Sequence, residues 1–303
     1  MRPRFYITLN PDSDCMYWHA LLAAGYDETD DPAQADFIVH DSIHKGVVAF
    51  LGDIPSFIVP HTPVSCFLWD GINKVYPTKC NFVAGDGCKK IMQSYGYPFR
   101  IEPVGFNRCE VKAFAPTTGN DLLIVPAHKL DIGRYTDWDY ASRVVAVLRF
   151  VVENRDAFRK VNLCWKDDSI DLSFAESKGI NIIRTDPYID REPLKHMMER
   201  IEQHDLIMGC GTAACVAVAM GRPTVFMTEK GSVPGSYPQR ALHSELYVND
   251  LIFPLWVEDM TIDEVLAVRS SPNSKVEYWK SQIIGGNFDA NKFISIVKEY
   301  IHE

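Results

Sequence analysis

The segment that most constrains this chain is His204-Asp-Leu-Ile-Met-Gly-Cys-Gly-Thr-Ala-Ala-Cys-Val-Ala-Val-Ala-Met-Gly-Arg-Pro-Thr-Val-Phe-Met227. Its apolar run predicts a buried strand over 205–208, a turn of small residues over 209–212, a helix of small residues over 213–220 and a second buried strand over 224–227. Gly209 and Gly211 permit a tight turn and close approach of the backbone, and Thr212 is placed to cap the helix. The N–H groups of the first helical turn, around Ala213, then lack intrahelical partners and suit an anion such as a phosphate. A helix this poor in bulk can lie flat on a sheet and bring its N-terminus close to a ligand.

The rest of the chain repeats this alternation. Strands are predicted at 5–9, 36–40, 56–60, 81–84 and 100–104, with helices at 15–24, 45–51 and 87–95 between them. The stretch Ala113-Phe-Ala-Pro-Thr-Thr-Gly-Asn120 reads as a linker, after which the pattern restarts. Strands are predicted at 122–126, 161–165, 181–184 and 250–254, with helices at 138–155, 172–178 and 191–203. Thr261 and Glu264 form a capping box opening a helix over 261–270, and a last helix spans 290–301. Alternating strands and helices imply parallel sheets covered on both faces, so the fold class is α/β with two Rossmann-like domains facing across a cleft. The expected division is 1–115, 116–275 and a tail over 276–303. Ligands of such sheets gather beyond the carboxyl ends of the strands.

Composition narrows the function. A net charge of −9 over 303 residues argues against general attraction to nucleic acid or to a membrane surface. No apolar run is long enough to span a bilayer, and the N-terminus lacks the apolar core of a secretory leader. Eight scattered cysteines without a C-x-x-C pair suit reduced thiols in the cytoplasm. Walker, zincin, EF-hand and nucleophile-elbow patterns are absent, as is a G-x-G-x-x-G after the first strand. Asp137-Trp-Asp139 lies where a helix starts, so capping explains it better than metal binding.

The predicted strand ends deliver the polar residues. His61 follows the 56–60 strand and is the first candidate for a general base, because an imidazole titrates near neutrality. Asp70 and Asp41 are carboxylate alternatives, for which turn chemistry is an equal explanation. His128, Lys129 and Arg134 follow the 122–126 strand and can neutralise a diphosphate, or form a solvated loop. Glu229 and Lys230 follow the 224–227 strand; Glu229 there can accept two hydrogen bonds from a ribose diol, or be surface charge.

Taken together, two Rossmann-like halves, His61 in the first, and Asp205 to Val225 in the second resemble the GT-B glycosyltransferases. The second-half motif is similar to the nucleotide-sugar signature shared by capsule and CDP-glycerol-type transferases and UDP-GlcNAc 2-epimerases. Those families usually carry a glutamate inside the helix, where this chain has Ala213 to Ala217. The stretch Asp53-Ile-Pro-Ser-Phe-Ile-Val-Pro-His61 resembles the acceptor-side strand of capsule transferases and phage DNA glucosyltransferases. Trp279 and the helix to Ile301 resemble the tail that crosses back to the first domain.

The resemblance implies a metal-independent, inverting transfer from a nucleoside-diphosphate sugar, such as a UDP-sugar, as co-substrate and no other cofactor. The diphosphate would lie at Gly209, Gly211, Thr212 and Ala213, with His61 as base. The acceptor is left open among a glycan, a small molecule and a modified DNA base. A UDP-sugar epimerase and a non-catalytic two-domain binding protein are the alternatives.

Overall fold

The computed structural model describes residues 2–8, 16–41, 54–59, 78–94, 97–105, 109–126, 140–165, 170–185, 193–209, 211–227, 257 and 260–301. The chain divides into two compact units. In the first, β1 (Arg4–Ile7), α1 (Met16–Ala23), β2 (Asp27–Glu28), β3 (Phe37–Asp41), β4 (Ser56–Val59), β5 (Cys80–Val83), α2 (Asp86–Ser94) and β6 (Ile101–Pro103) follow in order. The strands form one six-stranded sheet, ordered β2-β1-β3-β4-β5-β6, and every neighbouring pair is parallel. All residues of β4 and β5 are buried. That is why their sequences run apolar without alternating: both faces of a parallel sheet are covered.

The second unit contains β7 (Asp121–Val125), α3 (Tyr140–Glu153), β8 (Lys160–Trp165), α4 (Ser173–Glu176), β9 (Ile180–Arg184), α5 (Pro193–Glu202), β10 (Leu206–Gly209), α6 (Gly211–Ala219), β11 (Thr224–Phe226), α7 (Ile262–Ala267) and α8 (Ser274–Trp279). Its five strands are also parallel, ordered β11-β10-β7-β8-β9. Alternate side chains build two cores. Leu122, Ile124, Leu163, Met208 and Val225 pack with Val144, Val147, Leu148 and Val151 of α3. Leu123, Val125, Cys164 and Ile207 pack with Ile201 of α5 and with Ala213, Val216, Ala217 and Met220 around α6.

After Lys280 the chain returns to the first unit, where it ends in α9 (Ala290–Ile301). Phe293, Ile296 and Val297 lie at helical spacing and join Tyr17 and Leu21 of α1 over Phe5, Phe57 and Phe82. The helix is also tied by Lys292 Nζ donating to the Pro103 carbonyl at 2.7 Å and by the Arg100–Glu299 ion pair. A tail helix returning to the first domain is what the sequence resemblance implies.

The linker-like stretch is held by the second unit. Lys112 N–H donates to the Ala219 carbonyl at 2.7 Å, Ala115 N–H to Gly221 at 2.8 Å and Thr117 N–H to Arg269 at 2.9 Å. Gly221 makes this possible. It follows α6 with φ +75°, while the Arg222 N–H reaches the Ala217 carbonyl at 2.9 Å and the Gly221 N–H reaches Val218 at 3.0 Å. This is a Schellman cap, which needs a left-handed residue. A Cβ at 221 would stand 2.0 Å from the Ala113 carbonyl oxygen. Gly221→Val therefore destabilises the protein by about 3 kcal/mol or more, through left-handed strain plus a backbone clash. Urea unfolding measures it, and a loss below about 1 kcal/mol would show that the stretch moves aside at little cost.

Candidate functional site at the sheet switch points

Each sheet reverses its strand order once. In the first, β1 lies between β2 and β3; in the second, β7 lies between β10 and β8. Connections leave such a point in opposite directions and open a crevice beyond the carboxyl ends of the strands, where ligands bind. In the second unit those ends belong to β7 and β10: Val125 lies opposite Gly209, and Gly209 opposite Phe226. Helix α6 starts at Gly211, directly beyond this edge.

Gly209 ends β10, and the Met227 N–H donates to its carbonyl at 3.0 Å. A Cβ at 209 would lie 3.4–3.6 Å from Ala214, in ordinary van der Waals contact, so the strand end packs against the helix without demanding glycine there. The capping expectation for Thr212 needs correction. The helix begins at Gly211, which places Thr212 inside its first turn. β10 ends at Gly209 and the helix is under way from Gly211. The first turn carries no acidic residue, which leaves the positive end of the helix dipole uncompensated by its own sequence.

The missing helix glutamate has a local reason. Ala213, Ala214, Cys215, Val216 and Ala217 are all buried, at 6% exposure or less. A glutamate at any of them would place a carboxylate in an apolar interior.

The opposite end of β10 is structural. His204 is buried and accepts a hydrogen bond from Asn162 Nδ2 at Nε2, 2.8 Å away. That fixes the Nδ1–H tautomer, which donates to the Arg200 carbonyl at 2.6 Å. Burial lowers the His204 pKa, consistent with a neutral ring. The Asp205 carboxylate accepts the Asp121 N–H at 2.9 Å. The Arg159 guanidinium, bonded to Asp121, holds that carboxyl below its ordinary range. The histidine and aspartate that open the sequence motif therefore lock the amino ends of the strands.

In the first unit, Asp41 ends β3 at the switch point, its Cα opposite Val59 of β4. His61 follows β4 by two residues in the sequence. His61, Asp70, His128, Lys129, Arg134, Glu229 and Lys230 lie outside the described residues, as do the predicted 45–51 helix and 250–254 strand. The sequence reading passed over His40. It is 6% exposed beside Asp41, and burial lowers its pKa from 6.5 to about 4. The unfolded chain takes up this proton first, so the stabilisation is complete above about pH 6.5 and is lost as pH falls towards 4. Between pH 7.5 and 5 that loss is about 2 kcal/mol. His40→Gln should flatten the dependence of the urea midpoint by that amount, and an unchanged dependence would remove His40 as its source.

Among the described residues, no group of three or more His, Cys, Asp or Glu is placed to hold a metal, and no helix is long and apolar enough to cross a membrane.

No protein-family model matches the sequence. No curated protein matches it by sequence. Solved structures do match. MurG of Acinetobacter baumannii superposes with a TM-score of 0.53 at 10% identity, covering 99% of this chain and 100% of its own. Sucrose-phosphate synthase of Thermosynechococcus elongatus superposes at 0.55 with 11% identity, covering 100% of both chains. Both are GT-B glycosyltransferases, and the chain has the GT-B glycosyltransferase fold.

Proposed function

We propose that the protein is a GT-B-type glycosyltransferase that moves a sugar from a nucleoside-diphosphate donor to an acceptor hydroxyl. The observation that carries this reading is the second unit's switch point, where β7 and β10 end beside the start of α6. Glycine at 209 and 211 and alanine at 213 leave the backbone amides of that turn unobstructed by bulky side chains of their own. A diphosphate there would accept hydrogen bonds from N–H groups that the helix cannot use, at the positive end of its dipole. Whole-chain superposition on two glycosyltransferases supports the same reading at the level of fold.

In the proposed mechanism, amides and dipole stabilise the nucleoside diphosphate as it leaves. The acceptor hydroxyl attacks the anomeric carbon and His61 takes its proton, which gives direct inversion. His128, Lys129 and Arg134, which follow β7 in sequence, add positive charge to the diphosphate. Glu229 receives the ribose diol, with Lys230 beside it. A UDP-sugar is the expected donor, and the acceptor is a glycan, a small molecule or a modified DNA base.

A thermal-shift panel of UDP, GDP, CDP and their sugars tests this directly. At a hundredfold excess over Kd, a bound nucleotide adds about 2.7 kcal/mol of stability, a shift of several degrees. No shift with any member would overturn the reading. Rearrangement of a UDP-sugar without acceptor would replace it with an epimerase.

A further inference from the structure

We propose that His204, Asn162 and Asn181 form a proton-coupled relay: when His204 takes up a proton, both amides turn over, so that the surface of the edge strand responds to the charge of a buried ring. The three residues lie just before β10, on β8 and on β9. His204 and Asn162 are 4% and 3% exposed, whereas Asn181 is exposed. β9 is the outermost strand of the sheet, so the chain of bonds runs from its surface inward. None of the three residues has a part in the proposed donor site.

The direction of every bond follows from one carbonyl. The Arg200 carbonyl can only accept, and His204 Nδ1 stands 2.6 Å from it, so Nδ1 carries a proton. In the neutral ring Nε2 is then an acceptor. It faces the Asn162 amide at 2.8 Å, which must present its Nδ2. The Asn162 Oδ1 is left to accept from Asn181 Nδ2 at 3.0 Å. A proton from solvent makes Nε2 a donor and sets it against another donor. Half a turn about the last side-chain bond of Asn162 exchanges its oxygen and nitrogen within the same outline. The Nε2–H then donates to Asn162 Oδ1. Asn162 Nδ2 now faces Asn181, which turns in the same way and offers its own Oδ1. The charged ring is accommodated with no bond of the chain lost, whereas a donor unable to turn would leave a buried N–H unpaired.

The surrounding charges oppose one another. Burial favours the neutral ring, as does Lys160 at the start of β8, while the Arg200 carbonyl and the Asp121 and Asp205 carboxylates favour the imidazolium. Asp121 is bonded to Arg159, and Asp205 to the Asp121 N–H. On α5, the Arg200 side chain is engaged by Cys164 and Glu202 by Lys112. An imidazolium beside the last turn of α5 also meets the negative end of that helix.

NMR of the full chain with isotope-labelled histidine and asparagine, titrated from about pH 8 to 4.5 across the imidazole range, tests the relay. At the alkaline end His204 should be the Nδ1–H tautomer. On acidification the side-chain amide signals of Asn162 and Asn181 should both move with the His204 midpoint, although neither group ionises. Asn181→Asp puts a group without a donor at the outer end. Asn162 must then turn its Nδ2 outward and its Oδ1 towards His204, which should raise the histidine midpoint by about one pH unit, the scale of a charge-assisted hydrogen bond. The new charge also acts through space, and adding Asn181→Asp to an Asn162→Leu background measures that part, which should be less than about half of the full shift. An Nε2–H tautomer at the alkaline end, Asn181 signals that ignore the His204 midpoint, an unmoved midpoint in Asn181→Asp, or equal shifts in the two backgrounds would each overturn the relay. Should Asn162→Leu fail to fold, as its unfolding midpoint would reveal, the titration of the wild type and of Asn181→Asp carries the test.

Discussion

Alanine at position 61 should lower sugar transfer by a factor of about 10² to 10⁴, the range expected for loss of a positioned general base. It should leave nucleotide-dependent stabilisation intact. The split follows from where the residues sit in the chain. His61 follows β4 of the first unit, whereas the proposed diphosphate site belongs to β7, β10 and α6 of the second. A base acts on the acceptor in the transition state and contributes little to donor binding, so the loss should appear in kcat. The wild-type rate should rise with pH through the imidazole range and the variant should lose that limb. Unchanged turnover would refute the role of His61. Asp41, which ends β3 opposite Val59 of β4, and Asp70 would then be the alternatives.

Much of the fold is written locally and can be read locally. The last helix is predicted at 290–301 and observed as Ala290–Ile301, because its apolar residues recur at helical spacing. Thr261 and Glu264 form the expected capping box, with the Thr261 N–H donating to Glu264 at 2.7 Å. One feature was misread for a physical reason. Thr212 has the chemistry of a cap, but the helix starts at Gly211. The stretch around 113–120 has the composition of a linker, and within it the Ala115 and Thr117 N–H groups donate to the carbonyls of Gly221 and Arg269, just beyond α6 and α7.

The strand order was not legible at all. Pairing of β7 with β10 rather than only with β8 joins residues far apart in the chain, and no local pattern encodes it. The second switch point brings the ends of β7 and β10 beside the start of α6, an arrangement that only the topology reveals. His40 escaped notice because its significance is its burial.

The strongest expectation about the donor site concerns Thr212→Glu. A carboxylate in the first turn of α6 is favourable for the helix, by about 0.3–1 kcal/mol, because it meets the positive end of the dipole. The same charge opposes a diphosphate. At about 5 Å and an effective dielectric of 20, the repulsion is roughly 3 kcal/mol per unit charge. Binding should therefore weaken by about a hundredfold or more. Stability and affinity move in opposite directions, so a damaged fold cannot imitate the result.

Calorimetric titration of UDP into the wild type and Thr212→Glu, paired with their unfolding midpoints, decides the matter. The expected result is binding to the wild type, affinity about a hundredfold lower in the variant, and an equal or higher unfolding midpoint without nucleotide. Equal affinity in the two proteins would contradict a diphosphate at the start of α6.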